Sequence, residues 1–157
     1  MNNLEPIFID NEYRDIIKFH AKFQLLPTTP IPHLLEKDIA KYRFNFMQEE
    51  LNEVTDAWLR ADLVKFIDGL IDLVYVAKGT AILAGFDLEL WSRLRWGVHE
   101  ANMLKERVAS AEQSLEQTGR GHAFDVIKPE GWVSPEPLMR ALIDHAINCR
   151  GRIPTHV

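Results

Sequence analysis

From Leu63 to Leu83 apolar side chains fall on almost every side of a helical projection: Phe66, Ile67, Leu70, Ile71, Leu73, Val74, Tyr75, Val76, Ala81, Ile82 and Leu83. A segment of that kind sits at the centre of a bundle or at a contact between subunits. Its β-branched residues invite comparison with a strand, but about twenty residues without a turn signal decide for helix. Gly85 reads as its C-terminal stop.

The remaining periodic segments arrange themselves around this one. A first helix is expected from about Asn11 to Leu25, followed by a proline-rich linker from Pro27 to Pro32. A long second helix is expected from about His33 to Arg60, and a fourth from Asp87, its N-cap, to about Ala109. Residues 110–121 are polar and end in Gly119-Arg120-Gly121, which reads as a frayed helix end and an exposed loop. Ser134 as N-cap and Pro135 at the first helical position open a terminal helix to about Asn148. The expected fold class is all-α, a four-helix bundle with an extra C-terminal helix. At 157 residues it forms one domain, with a core over about 11–109 and a tail over 110–157. A centre this apolar in so few helices implies subunits that complete each other's cores, as a homodimer or homotetramer.

Several classes are disfavoured. No apolar run reaches the roughly 18 residues of a membrane span, and the stretch from Met1 to Pro6 lacks a signal-peptide pattern, so a cytoplasmic protein with no membrane partner is expected. One cysteine, Cys149, excludes an internal disulfide and a multi-cysteine zinc site. A formal net charge of −5 argues against nucleic-acid binding.

The chemistry shows as carboxylates in the wrong place. On the second helix Ile39, Tyr42, Phe46, Met47, Val54, Ala57 and Trp58 form one apolar arc, and Glu50 and Glu53 lie inside it, with Glu49 at its edge. The third helix sets Asp68 and Asp72 one turn apart on a shared face near Lys65. Burying unpaired carboxylates costs several kcal/mol, so four of them facing inward call for a compensating cation or proton. Oxygen-only ligands suit Mg²⁺ or Mn²⁺, and the lack of neighbouring Cys or His disfavours zinc. Arg43 and Lys65 offer an alternative, as structural ion pairs with the same acids. On the fourth helix Arg95, His99, Asn102 and Lys105 share a face able to hold phosphate or ribose oxygens, as any polar helix face would look.

Glu49-Glu50-Leu51-Asn52-Glu53 followed by Asp68-Gly-Leu-Ile-Asp72-Leu-Val-Tyr75 and Gly79-Thr80-Ala81 resembles the all-α NTP pyrophosphohydrolases, the MazG-like and dimeric dUTPase-like group. Val98-His99-Glu100-Ala101-Asn102-Met103-Leu104-Lys105, the Lys128-Pro129-Glu130-Gly131-Trp132 tail and Phe19-His20-Ala21-Lys22-Phe23 are similar to further motifs of that group, in its order, from about residue 13 to 136. The resemblance implies Mg²⁺ held by Glu50, Glu53 and Asp72, with Glu49 orienting or deprotonating water; Asp68, four residues before Asp72 and on the same side of the helix, is a further candidate ligand. The resemblance also implies that Asn102 and Lys105 contact the nucleotide. Lys65 is a further candidate contact to the substrate. His20, Phe23 and Trp58 are candidates to border the base, although Phe23 and Trp58 equally suit a packed core.

Two departures stand out. Many relatives carry Glu three residues before the final Asp, where this chain has Gly69, and the 106–127 segment is longer than the usual loop. The expected activity is Mg²⁺-dependent conversion of a nucleoside triphosphate and water to the monophosphate and diphosphate. A pyrimidine deoxynucleotide, dUTP or dCTP, is what the subgroup suggests. The alternative from another class is a non-catalytic nucleotide- or metal-binding oligomerisation module.

Overall fold

A computed structural model describes residues 9–28 and 30–150, so the Met1 to Pro6 stretch and Thr29 of the linker lie outside the described residues. The helices are α1 (Asn11–Lys22), α2 (Lys37–Leu59), α3 (Leu63–Leu83), α4 (Leu88–Met103), α5 (Ala111–Thr118) and α6 (Glu136–Arg150). Two two-residue strands, β1 (Glu106–Arg107) and β2 (Val126–Ile127), pair antiparallel with Glu106 opposite Ile127. The fold is all-α, as expected. Among the described residues no helix is long and apolar enough to cross a membrane. The residues group into two compact units, built mainly on Ile9–Trp91 and on Ser92–His145.

In the first unit α2 and α3 form a tight αα-hairpin. Asp62 accepts the Lys65 N–H at 3.0 Å as N-cap of α3, and Ala61 takes a left-handed φ of +54° to turn the chain. The two helices touch where side chains vanish: a Cβ on Gly69 would lie 2.9 Å from Val54 Cγ2 and 3.3 Å from its backbone N. Further along, Arg43 donates to the Val76 carbonyl at 2.8 Å and to Thr80 Oγ1 at 3.1 Å. α1 closes the other side of α3. Asp10 caps it, and Tyr13, Ile16 and His20, spaced one turn apart, are buried. Tyr13 and Ile16 meet Ile82 to form the core, with Trp91 stacked on the Tyr13 ring at 4.7 Å. Gly85, at φ +82°, lets the linker approach so closely that a Cβ would fall 2.1 Å from the Ile31 carbonyl oxygen.

The second unit departs from the expected frayed end and open loop over 110–121. Ser110 caps α5 by accepting the Gln113 N–H at 3.2 Å, and Gly119 ends it in the left-handed conformation at φ +76°. The fourth helix stops at Met103 rather than near Ala109, because residues 106–107 leave it to pair with β2. Trp132 donates its indole N–H to the Ala101 carbonyl at 2.6 Å, and Gly97 gives α6 room for Leu138.

Candidate active site

Two contacts bracket the centre of the hairpin. Val54 lies against Gly69, and Arg43 reaches Val76 and Thr80, so in antiparallel helices Glu50 stands at the level of Asp72. The burial stripe of α2 is Arg43, Glu50, Val54 and Ala57. That corrects the arc expected from sequence: Val54 and Ala57 face inward, whereas Ile39, Tyr42 and Trp58 are exposed, Trp58 by 68%. Position 58 falls just before the hairpin turn, where α2 runs out of partner.

Glu50 is 8% exposed. Burial raises its pKa, and the negative charges of Asp72, Glu53, Glu49 and Asp68, in that order, raise it further. No cation and no hydrogen-bond donor among the described residues offsets them. The structural ion pairs that sequence allowed as an alternative do not reach Glu50. Arg43 is buried on neutral acceptors, the Val76 carbonyl and the Thr80 hydroxyl. Lys65 pairs loosely with Asp68, at 3.4 Å, in the open.

Glu49, Glu53, Asp68 and Asp72 are all exposed around this one buried carboxylate. Among the described residues no three acidic, His or Cys side chains stand as a ready-made metal cage. Mg²⁺ does not ask for one, since it usually takes one or two carboxylates, several waters and substrate phosphates. An oxygen-only set with uncompensated negative charge fits such a hard cation.

The Gly69 departure has a physical reason. Position 69 faces the α2 backbone, so a carboxylate there would prise the hairpin apart. The acid of that turn is Asp68, one step round the helix and close enough to act on Glu50.

His20 is 3% exposed and lies against Gly79, where an added Cβ would sit 2.9 Å from its Nε2 and 3.1 Å from Arg43 Nη2. Burial, then the Arg43 charge, lowers its pKa, and its Nδ1 has no partner among the described residues. Phe23 is half exposed at the end of α1, its ring 4.7 Å from that of Phe19. Asn102 and Lys105 belong to the second unit, at the last turn of α4 and just beyond it. Asn102 is exposed, and its carbonyl accepts the Lys105 N–H at 3.1 Å.

A family model for phosphoribosyl-ATP pyrophosphohydrolase matches residues 16–95, just over half the chain. The chain belongs to this family. The family is part of the all-α MazG-like NTP pyrophosphohydrolase superfamily, in agreement with the resemblance read from the motifs. Membership makes the protein a pyrophosphohydrolase, a hydrolase of nucleotide phosphoanhydrides. The matched stretch contains all five acids together with His20, Phe23 and Lys65, while Asn102 and Lys105 lie past its end. No curated protein matches the chain.

Arg60, seven residues after Glu53 and just past the end of α2, is exposed and meets Asp56 at 3.8 Å.

Proposed function

We propose that the protein is a cytoplasmic, Mg²⁺-dependent nucleoside triphosphate pyrophosphohydrolase that prefers dUTP or dCTP. The observation that carries this is Glu50, a buried carboxylate ringed by four others with nothing among the described residues to neutralise it. Groups perturbed in this way mark functional sites because the stability they cost is kept for a purpose.

Glu50, Glu53, Asp72 and Asp68 would hold Mg²⁺, with Mn²⁺ able to substitute. When bound, the metal supplies charge neutralisation for the triphosphate and lowers the pKa of water. Glu49, exposed at the edge of the cluster, orients the attacking water and takes its proton. The water oxygen bonds to the α-phosphorus as the bond from that phosphorus to the α,β-bridging oxygen breaks, and diphosphate leaves with the electron pair. Asn102, Lys105 and Lys65 are the proposed contacts to the nucleotide, and His20 and Phe23 border the base end.

The exposed side of α3 supports a homodimer or homotetramer. Leu63, Ile67, Ile71 and Val74 form a stripe at helical spacing, and contiguous exposed apolar surface of this kind is uncommon in monomers. A second substrate reading comes from the matching family, whose description names phosphoribosyl-ATP. Competing turnover of dUTP, dCTP, dATP and phosphoribosyl-ATP with Mg²⁺ separates these readings. The proposal expects a pyrimidine deoxynucleotide to win. Preference for phosphoribosyl-ATP would replace the substrate, equal rates would remove the pyrimidine preference, and binding without any turnover would make the protein a sensing module.

A further inference from the structure

We infer that the cavity at the tip of the α2–α3 hairpin holds the diphosphate end of the substrate, with Arg60 and Lys65 as its specificity-determining cations. This rests on the proposed function, and it fixes which way the nucleotide lies.

The cavity has a volume of about 210 Å³ and is lined by Glu53, Asp56, Ala57, Arg60, Asp62 and Lys65. Glu53 is thus common to the cavity and to the carboxylate cluster. A triphosphate brought to that cluster leaves a highly charged diphosphate on one side of the scissile bond, and that side needs cations. The other cations nearby are already committed. Arg43 is locked on Val76 and Thr80, and Lys78 is held by Asp10 at 3.0 Å and by Glu12.

Arg60 and Lys65 differ from both. Arg60 meets Asp56 at only 3.8 Å and Lys65 meets Asp68 at 3.4 Å, in exposed i,i+4 and i,i+3 pairs that contribute little and are readily exchanged. A phosphate offers Arg a bidentate partner and Lys a point charge, each stronger than these surface pairs. The acids of the cavity set a condition. Asp62 keeps its charge although it caps α3, and Asp56 is left unpaired when Arg60 turns to phosphate, so both repel alongside Glu53. The cavity accepts diphosphate only when a divalent cation offsets Glu53 and its neighbours.

With the diphosphate at the hairpin tip, the nucleoside points the opposite way along α3. That end carries Gly79, seven residues and ~10 Å beyond Asp72, against which His20 packs.

The test is calorimetric titration of the full chain with inorganic diphosphate and, separately, with dUMP, each with Mg²⁺ and with chelator. Wild type is expected to bind diphosphate only with Mg²⁺. Arg60→Gln and Lys65→Gln are each expected to weaken diphosphate binding about tenfold while leaving dUMP binding unchanged, and Arg60→Lys to retain part of it. Both side chains are exposed, so folding is not at stake. Diphosphate binding unaltered in both Gln variants, or a loss shared equally by dUMP, overturns the inference. Absence of nucleotide turnover in wild type defeats the proposed function instead, and a selective loss of diphosphate binding still supports the cavity.

Discussion

Two carboxylates of similar burial behave in opposite ways. Asp125, in the second unit, has a side chain only 9% exposed, and Glu50, in the first, is 8% exposed as a residue. Asp125 accepts from the buried Ser114 hydroxyl at 2.7 Å, from Thr118 at 2.8 Å and from its neighbour's Val126 N–H at 2.8 Å, and it pairs with Arg120 at 2.6 Å. The Ser114 bond above all, then the Thr118, Val126 and Arg120 bonds, hold its carboxyl far below the usual range. Glu50 has burial and four like charges, and its pKa goes up. The first carboxylate belongs to the fold, tying α5 to the loop before β2. The second works against the fold, which is the mark of a group kept for a ligand.

Substituting each acid breaks the comparison most sharply. Glu50→Gln is expected to lower kcat by about 10²–10³-fold or more, the scale of losing one centre of transition-state charge stabilisation. The same change is expected to stabilise the metal-free protein, on the order of 1 kcal/mol, or ~2–4 °C in Tm for a chain of this size. Scanning calorimetry beside steady-state kinetics reads both. A parallel loss of stability and activity would make Glu50 structural. Asp125→Asn is expected to do the reverse, lowering Tm by several degrees while kcat and KM stay as in wild type.

How much of this contrast was legible in the sequence differs between the units. α3 appeared with its ends correct because its apolar residues leave no other period and Gly85 stops it. The acids on α2 and α3 were visible as carboxylates among apolar neighbours. Burial could not be assigned among them, because a helical wheel does not know where the partner helix ends. Glu50 went in, Glu53 stayed out, and Trp58, on the same arc, projects past the contact. α5 was missed although Ser110 and Gln113 stand at capping-box spacing; Gln113 Oε1 accepts the N–H of Ala109, one residue before the cap, at 2.6 Å. A polar eight-residue helix has almost no apolar stripe to announce it, and its fixing depends on Asp125 beyond it in the chain. The roles of Arg43 and Gly69 depend on contacts across the hairpin, to which periodicity along one helix is blind.

A pH series sharpens the comparison. The folded state binds the Glu50 proton more tightly than the unfolded chain does. The penalty of its ionised form is therefore full above its raised folded pKa and is relieved as pH falls toward the ordinary 4.5. Asp125 has the opposite sign: its contribution is complete above its ordinary 3.8 and is lost only as pH falls below that toward its depressed folded value. In metal-free denaturant titrations the stability gained by Glu50→Gln is expected to shrink from neutral pH toward 4.5. The deficit of Asp125→Asn is expected to persist to about 4 and fade below it. Parallel pH profiles for the two variants would remove the distinction.

The closeness of the hairpin gives a further prediction. Gly69→Ala places a methyl 2.9 Å from Val54 Cγ2, and is expected to destabilise by about 1–3 kcal/mol as the helices part. Activity should fall with it, because Glu50 and Asp72 face each other across the same hairpin. Unchanged Tm and kcat would show that the two helices are not held at this spacing. Smallest is the metal effect on stability. Mg²⁺ is expected to raise the Tm of wild type by the few degrees of a weakly bound ion, and to leave Glu50→Gln unmoved.

The central claim, that the Glu50 cluster is where a nucleotide phosphoanhydride is cleaved, is tested most directly by resolving the products of dUTP and dCTP by phosphorus NMR, with Mg²⁺ and with chelator, for wild type and Glu50→Gln. The account predicts one diphosphate per nucleoside monophosphate from wild type with Mg²⁺, none from wild type with chelator, and from the variant about a hundredth of the wild-type amount or less in the same time. Release of orthophosphate instead, or equal diphosphate release by Glu50→Gln, would contradict it.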